Sequence, residues 1–111
     1  MISVIVPVLN ERESIAPLIS EIGDACEGLG VEWEVVVVDD GSTDGTFAEA
    51  RELARQNPRV GVVRLRRNFG KSVALAAGFQ VTRGDVVITM DGDGQDDPAD
   101  IPRMLDGLEA G

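Results

Sequence analysis

Hydrophobic residues fall into four short runs, and polar or periodic stretches separate the runs. The runs cover residues 2–8, 33–38, 60–65 and 86–90, and each has the length and β-branched content of a strand. The second run contains four consecutive valines, which is too hydrophobic for a half-exposed strand and indicates burial on both faces. The pattern therefore predicts four strands, with the second inside a covered sheet.

Between the runs, apolar residues recur at the i, i+3, i+4, i+7 spacing of amphipathic helices. The first predicted helix follows Ser14, a candidate N-cap, and the second ends at Asn57-Pro58. The third covers residues 71–81, and its alanines indicate close packing on the sheet. A last short helix begins near Pro98, with Asp97 as a candidate cap. The apolar faces of the four predicted helices are Ile15, Leu18, Ile19, Ile22, Cys26 and Leu29, then Phe47, Ala50, Leu53 and Ala54, then Val73, Ala74, Ala77 and Val81, and finally Ile101, Leu105 and Leu108.

Strand and helix alternate four times, and the connections are long enough for parallel pairing. Right-handed crossovers then predict one domain over residues 1–111, an open, mostly parallel, Rossmann-like α/β sheet with helices on both faces. The predicted strand order is 3-2-1-4. In such sheets ligands bind beyond the carboxyl ends of the strands, near the point where the strand order reverses.

Polar residues that could bind a ligand follow the strands at this carboxyl edge. They are Asn10 and Glu11 after the first strand, Asp39, Asp40 and Ser42 after the second, Arg66, Asn68 and Lys71 after the third, and Asp91, Asp93 and Gln95 after the fourth. The loops at the other edge are turn residues without a comparable group. The one-sided distribution predicts a single ligand site at the carboxyl edge.

The fourth strand ends in two acids, Asp91 and Asp93, which project to the same side while the chain stays extended. Paired carboxylates suit Mg²⁺ or Mn²⁺, and magnesium usually completes its shell with water and substrate phosphates. Lys71 opens a helix, where its charge is unfavourable unless an anion lies nearby. These residues predict a metal–phosphate site, although calcium loops and plain turns also use Asp-Gly-Asp.

Simpler explanations exist for several of these residues. Asp39, Asp40, Ser42 or Asp44 could cap the second helix, and Lys71 could be an ordinary surface lysine. A receiver-like phosphorylation module, a non-catalytic regulatory domain, also uses an acidic pair, a strand-end Asp and a Lys. In that class the acidic pair follows the first strand and the Lys a late one, whereas here they follow the second and third strands.

Charge and composition narrow the class of protein. The chain is 43% hydrophobic and 27% charged, an ordinary globular mixture. Its net charge of −10 argues against nucleic acid or an anionic membrane surface as the main partner. The single cysteine, Cys26, and an N-terminus without the basic leader and cleavage site of a signal peptide favour a cytosolic setting.

Four segments together resemble the family 2 glycosyltransferases, whose nucleotide-binding half has the GT-A arrangement. Residues 4–11 are similar to the family's opening strand and its Pro-x-x-Asn-Glu turn, and residues 36–46 to its Val-Asp-Asp-Gly-Ser segment. Residues 66–71 and 90–98 resemble the polyprenyl-phosphate (dolichol-phosphate-like) sugar transferase branch. Gln95-Asp96-Asp97-Pro98 has two acids where many relatives have one, so either Asp can match the family position.

The resemblance implies a UDP- or GDP-linked sugar donor and a role for each matching residue. Pro7, Asn10, Glu11 and one or both of Asp39 and Asp40 would bind the base and ribose. Lys71 and Gly92 would lie near the diphosphate, while Asp91 and Asp93, with Gln95 beside them, would coordinate Mg²⁺ or Mn²⁺.

The resemblance also implies an inverting reaction, with a lipid phosphate as acceptor, at the cytoplasmic face of a membrane in the full-length protein. Family members continue well past residue 111, so the catalytic residues are expected beyond Gly111. The chain is then a donor-binding half with little activity of its own. A half-domain would also leave apolar surface uncovered, which predicts self-association.

Overall fold

The computed structural model describes residues 1–92 and 96–110, the last five of these by their backbone. The predicted strands and helices are all confirmed. In chain order they are β1 (Ile2–Val8), α1 (Ile15–Gly28), β2 (Trp33–Asp39), α2 (Thr46–Gln56), β3 (Val60–Arg64), α3 (Lys71–Val81), β4 (Val86–Thr89) and α4 (Ile101–Ala110), with a 3₁₀ turn (Pro98–Asp100) before α4. Asp97 caps that turn by accepting a hydrogen bond from the Ala99 N–H.

The four strands form one parallel sheet in the predicted order β3-β2-β1-β4. β1 pairs with β2 along its whole length, so that Val8 lies opposite Asp39 at the carboxyl end. On its other side, β1 pairs with the shorter β4 from Ile2 opposite Val86 to Ile5 opposite Thr89. The strand order therefore reverses at β1, whose carboxyl end lies at the centre of the edge where a ligand is expected.

Alternate residues of β2 enter two different cores, as the valine run predicts. Val35 and Val37 pack on the face covered by α1 and α2, in the larger core. Val36 and Val38 pack on the opposite face with Ile5 and Ala74, beneath α3. Every residue of β2 is buried, so β2 fixes the geometry of the loop that follows it.

Helix α3 packs closely on the sheet through small residues. A Cβ added at Gly78 would lie 2.7 Å from Ile5 Cγ2, so the helix backbone rests directly on β1. The outer side of α3 is also apolar, and Val73, Phe79 and Val81 are 45%, 52% and 47% exposed. The uncovered apolar surface that the sequence predicts is therefore present, while self-association stays a prediction.

A buried, hydrogen-bonded carboxylate, that of Glu34, lies at the edge of the sheet opposite the cleft. The Glu34 carboxylate on β2 accepts hydrogen bonds from Ser3 Oγ at 2.6 Å and from the Arg83 N–H at 2.7 Å. Burial alone would raise the pKa of Glu34, but these bonds and the Arg83 guanidinium outweigh it and lower that pKa below its ordinary value. The bonds anchor the turn between α3 and β4.

Across the described ranges 1–92 and 96–110, the helices are too short or too polar to cross a bilayer.

Candidate functional site

A cleft of about 420 Å³ opens at the carboxyl edge of the sheet. It brings together residues from the ends of β1, β2 and β4 and from the loop between β3 and α3. The lining residues are Pro7, Val8, Leu9, Glu11, Asp40, Asn68, Gly70, Lys71, Asp91 and Gly92. Six of the ten predicted site residues are among them, while Asn10 and Asp39 lie outside the lining and Asp93 and Gln95 lie outside the described residues.

The adjacent acids Asp39 and Asp40 belong to opposite sides of the sheet. Asp39 ends β2 on the face of Val35 and Val37, because side chains alternate along a strand. Its Oδ1 accepts the Ser42 N–H at 3.0 Å, whereas its Oδ2 is buried and has no hydrogen-bond partner among the described residues. A buried carboxylate oxygen of this kind favours a donor from a ligand or water.

Asp40 holds the loop that follows β3. Its Oδ1 accepts the Phe69 N–H at 2.8 Å and its Oδ2 accepts the Gly70 N–H at 3.1 Å. The side chain is buried, with 6% exposed. Asp40 therefore lines the cleft and also positions its wall, since Asn68 and Gly70 belong to the loop that it anchors.

Asn10 connects the loop after β1 to the loop after β2. Its backbone has a φ of 54°, its N–H donates to Ser42 Oγ at 2.8 Å, and its Oδ1 accepts the Thr43 N–H at 2.9 Å. The next residue, Glu11, donates its N–H to Thr46 Oγ1 at 3.0 Å and reaches the cleft. In the structure Asn10 thus positions this loop, and its predicted contact with a nucleotide stays a prediction.

The start of α2 is held by Asp44, which precedes the N-cap residue. Asp44 Oδ1 accepts the Thr46 N–H at 3.0 Å and also the Thr46 hydroxyl. The Thr46 hydroxyl bond, together with the N–H bonds, outweighs the opposing effect of desolvation and lowers the pKa of Asp44. The N-cap itself is Gly45, with a φ of 94° and no side-chain cap, so none of the predicted capping residues occupies that position.

Lys71 and Asp91 form an ion pair inside the cleft, with Lys71 Nζ 2.6 Å from Asp91 Oδ1. The Asp91 N–H donates to Asp96 Oδ2 at 2.8 Å, which fixes the chain just after β4. The lysine at the start of α3 therefore has the nearby anion that its position predicts. A cationic and an anionic side chain therefore lie together where the sequence predicts that a diphosphate binds.

Gly92 lets the chain after β4 approach β1. Its N–H donates to the Pro7 carbonyl at 3.3 Å, and a Cβ built on it would lie 2.5 Å from Val8 Cγ1. Any side chain at this position would force the two segments apart. Gly92 therefore sets the distance between Asp91 and the floor of the cleft.

Three carboxylates line the cleft among the described residues, those of Glu11, Asp40 and Asp91. Both Asp40 oxygens accept loop N–H groups, and Asp91 is the predicted metal ligand among the three. Over residues 1–92 and 96–110, three acidic, His or Cys side chains do not come close enough together to hold a metal by themselves. That finding fits Mg²⁺ or Mn²⁺ bound partly by phosphates, because magnesium commonly uses only one or two protein carboxylates. The proposed partners Asp93 and Gln95 lie outside the described residues.

Four lining residues, Val8, Leu9, Asn68 and Gly70, were not in the predicted site set. Asn68 was predicted only as one of the polar residues that follow a strand at the ligand edge. Gly70 is the N-cap residue of α3 and has a φ of 100°. Its N–H donates to Asp40, and that long-range contact has no signature in the local sequence.

Comparison with known proteins agrees with the observed fold. The model of the family described as Glycosyl transferase family 2 matches residues 3–111. A dodecaprenyl-phosphate galacturonate synthase from Rhizobium johnstonii is 43% identical over 109 residues, which are 97% of this chain and 32% of that protein. An undecaprenyl-phosphate 4-deoxy-4-formamido-L-arabinose transferase from Edwardsiella ictaluri is 42% identical over 111 residues, or 99% of this chain and 34% of that protein. The chain spans about a third of the length of these relatives.

Solved structures show the same fold. Glucosyl-3-phosphoglycerate synthase from Mycobacterium tuberculosis, in complex with Mn²⁺, UDP and glucosyl-3-phosphoglycerate, has a TM-score of 0.77 and 32% identity, covering all of this chain and 40% of that one. The mannosyltransferase PcManGT from Pyrobaculum calidifontis, in complex with GDP-Man and Mn²⁺, has a TM-score of 0.65 and 35% identity, covering 83% of this chain and 27% of that one.

The parallel sheet in the order 3-2-1-4, with a charged cleft at its reversal point, defines a GT-A-like, Rossmann-related domain. The match over residues 3–111 makes the assignment more specific: the chain belongs to glycosyl transferase family 2. This result favours the glycosyltransferase interpretation over the receiver-like module.

Proposed function

We propose that this chain is the donor-binding part of a glycosyltransferase that transfers a sugar from a UDP- or GDP-linked donor to a polyprenyl phosphate. The observation that carries the proposal is the cleft in which Lys71 and Asp91 meet beside Asp40. The two similar relatives are named for polyprenyl-phosphate sugar transfer, and the two structural neighbours contain UDP or GDP-Man with Mn²⁺.

Each residue near the cleft has a proposed role. Pro7, Asn10, Glu11, Asp39 and Asp40 would contact the base and ribose. The buried Oδ2 of Asp39 is a suitable acceptor for an N–H or O–H of the nucleoside, because it has no partner within residues 1–92 and 96–110. Lys71 would contact the diphosphate, and Gly92 would keep the Asp91 segment close to β1.

The proposed cofactor is Mg²⁺ or Mn²⁺, held by Asp91 together with Asp93 and Gln95. When bound there, the metal would supply positive charge to the leaving nucleoside diphosphate. The acceptor phosphate oxygen is ionised near neutral pH and would attack the anomeric carbon opposite the leaving group, which inverts that centre. A strong general base is then unnecessary.

The proposed acceptor is a membrane lipid, so the proposed place of action of the whole protein is the cytoplasmic face of a membrane. The relatives are about three times as long as this chain, and the residues that complete the transfer are proposed to lie in the part that this chain does not cover.

Titration calorimetry with UDP and GDP, with and without Mn²⁺, tests the proposal on the 111-residue chain. We expect weak binding of at least one nucleotide that depends on Mn²⁺, and little or no transfer to a polyprenyl phosphate. The absence of metal-dependent binding to either nucleotide would refute the site.

A further inference from the structure

Lys71 is the only lysine in the chain, and the other nine basic residues are arginines. Its ammonium contacts Asp91 Oδ1 at 2.6 Å, in the same cleft. An ammonium is a compact point charge on a flexible stem, so it can turn between neighbouring anions. The only lysine therefore contacts the cleft carboxylate that is the predicted metal ligand.

A divalent metal and the Lys71 ammonium require the same carboxylate. With both cations close to Asp91, their repulsion opposes metal binding, since like charges a few ångströms apart near a protein surface interact measurably. A nucleoside diphosphate changes this balance, because its phosphates offer the ammonium an anionic partner other than Asp91. Charge alone thus predicts that the metal binds better once the diphosphate is present.

The structure also indicates which partner moves. The backbone at Asp91 is fixed by the hydrogen bond from its N–H to Asp96, and the next residue, Gly92, packs against Val8. The Lys71 side chain is 60% exposed, compared with 32% for Asp91. The lysine has four rotatable methylene groups and room to turn, so the ammonium can move toward phosphate while the carboxylate stays in place.

We propose that Lys71 couples metal binding to diphosphate binding. By occupying Asp91 it weakens binding of the metal alone, and by moving to the diphosphate it strengthens binding of the metal together with the nucleotide. Because such coupling is reciprocal, the metal raises nucleotide affinity by the same factor. The inference rests on the proposed function, and it adds that Lys71 is the residue that strengthens the dependence of nucleotide binding on the metal.

Electron paramagnetic resonance of free Mn²⁺ tests the coupling without any transferase assay. The chain and its Lys71→Met variant are titrated with Mn²⁺ alone, and then with UDP and with GDP. Mn²⁺ chelated by each nucleotide without protein is measured separately and subtracted. We expect Lys71→Met to bind Mn²⁺ alone about fivefold more tightly, and the gain in Mn²⁺ affinity from nucleotide to fall about tenfold.

Two further variants serve as controls. Arg103→Met also removes a cation from an aspartate, since Arg103 Nη2 lies 3.0 Å from Asp100 Oδ1 outside the cleft, and it should bind Mn²⁺ like the unchanged chain. Lys71→Arg keeps the positive charge and should retain most of the coupling. Circular dichroism confirms that each variant is folded.

The possible results separate the inference from the proposed function. The coupling is overturned if Lys71→Met binds Mn²⁺ alone no more tightly than the unchanged chain does. It is also overturned if nucleotide raises the Mn²⁺ affinity of that variant as much as it raises that of the unchanged chain. Either result leaves the donor site intact. An unchanged chain that binds neither Mn²⁺ nor nucleotide refutes both.

Discussion

Replacing Asp40 with alanine should destabilise the chain strongly, because one buried carboxylate holds two backbone N–H groups of a distant loop. Those groups belong to Phe69 and Gly70, at 2.8 and 3.1 Å. Asp40→Ala would leave the Phe69 N–H without its acceptor and the Gly70 N–H with only Asn68 Oδ1, at 3.1 Å. Asp40→Asn would leave one of the two N–H groups facing an amide NH₂ group. The loop carries the cleft wall, so its displacement should also weaken nucleotide binding.

The expected size of the effect follows from these two bonds. Hydrogen bonds to charged groups contribute about 1.5–3 kcal/mol each, and water can reach part of this loop, so a loss of about 3 kcal/mol is expected for Asp40→Ala. About half of that is expected for Asp40→Asn. For a domain of this size 1 kcal/mol shifts the melting temperature by roughly 4 °C, which gives decreases of about 12 °C and about 6 °C.

Thermal unfolding followed by circular dichroism measures these shifts. Asp97→Ala is a matched control, because within residues 1–92 and 96–110 the exposed Asp97 carboxylate accepts a single hydrogen bond, from the Ala99 N–H at 3.0 Å. It should cost about 1 kcal/mol or less. If Asp40→Ala melted within about 2 °C of the unchanged chain, a shift worth only about 0.5 kcal/mol, the anchoring role of Asp40 would be refuted.

Three other predictions concern single residues. Acetylation of Lys71, the only lysine, should be slowed by Mn²⁺ together with UDP or GDP, with the Met1 amine as the internal reference in peptide mass spectrometry; equal slowing at both amines would contradict the cleft assignment. Gly92→Ala should destabilise the chain by about 1–3 kcal/mol in urea unfolding and weaken nucleotide binding in calorimetry, because its Cβ would meet Val8 Cγ1; unchanged stability would mean that the close approach is absent. The folded-state pKa of Glu34 lies below its unfolded value of about 4.3, so its contribution to stability is complete above that value and is lost as the pH falls through the folded pKa. The stability difference between Glu34→Gln and the unchanged chain should therefore shrink on acidification in pH-dependent urea unfolding, and a constant difference would contradict the lowered pKa.

The fold could be predicted from local pattern because each element carries its own signal. Four valines in succession indicate a strand buried on both faces, and both faces of β2 are in fact covered. The order 3-2-1-4 is the usual order in half of a doubly wound sheet, and the structure confirms it. The side of the sheet on which a ligand is expected could likewise be predicted, since the described site residues lie at the carboxyl edge.

The individual roles at that edge were harder to predict because they depend on contacts between distant loops. Asp39 and Asp40 are neighbours in the chain, yet their roles differ. Asp39 has a buried carboxylate oxygen without a hydrogen-bond partner among the described residues, whereas Asp40 anchors residues 69–70. Asn10 belongs to a motif that is expected to contact the nucleotide, but in the structure its hydrogen bonds join the loop after β1 to the loop after β2. Such assignments require the partner across the sheet, which single-sequence pattern does not identify.

The central position of β1 has a consequence for folding. The cleft needs the pairing of β1 with β2 and also the pairing of β1 with β4, and the second joins residues more than 80 positions apart. Long-range parallel pairing forms slowly, because the entropy of loop closure is lost before the contacts compensate for it. A chain that had formed β1, β2 and α1 would contain much of the larger core and still lack the Asp91 side of the cleft. Nucleotide binding would thus appear only with the final pairing of β4, and ligand affinity during refolding would report the last step of assembly rather than the first.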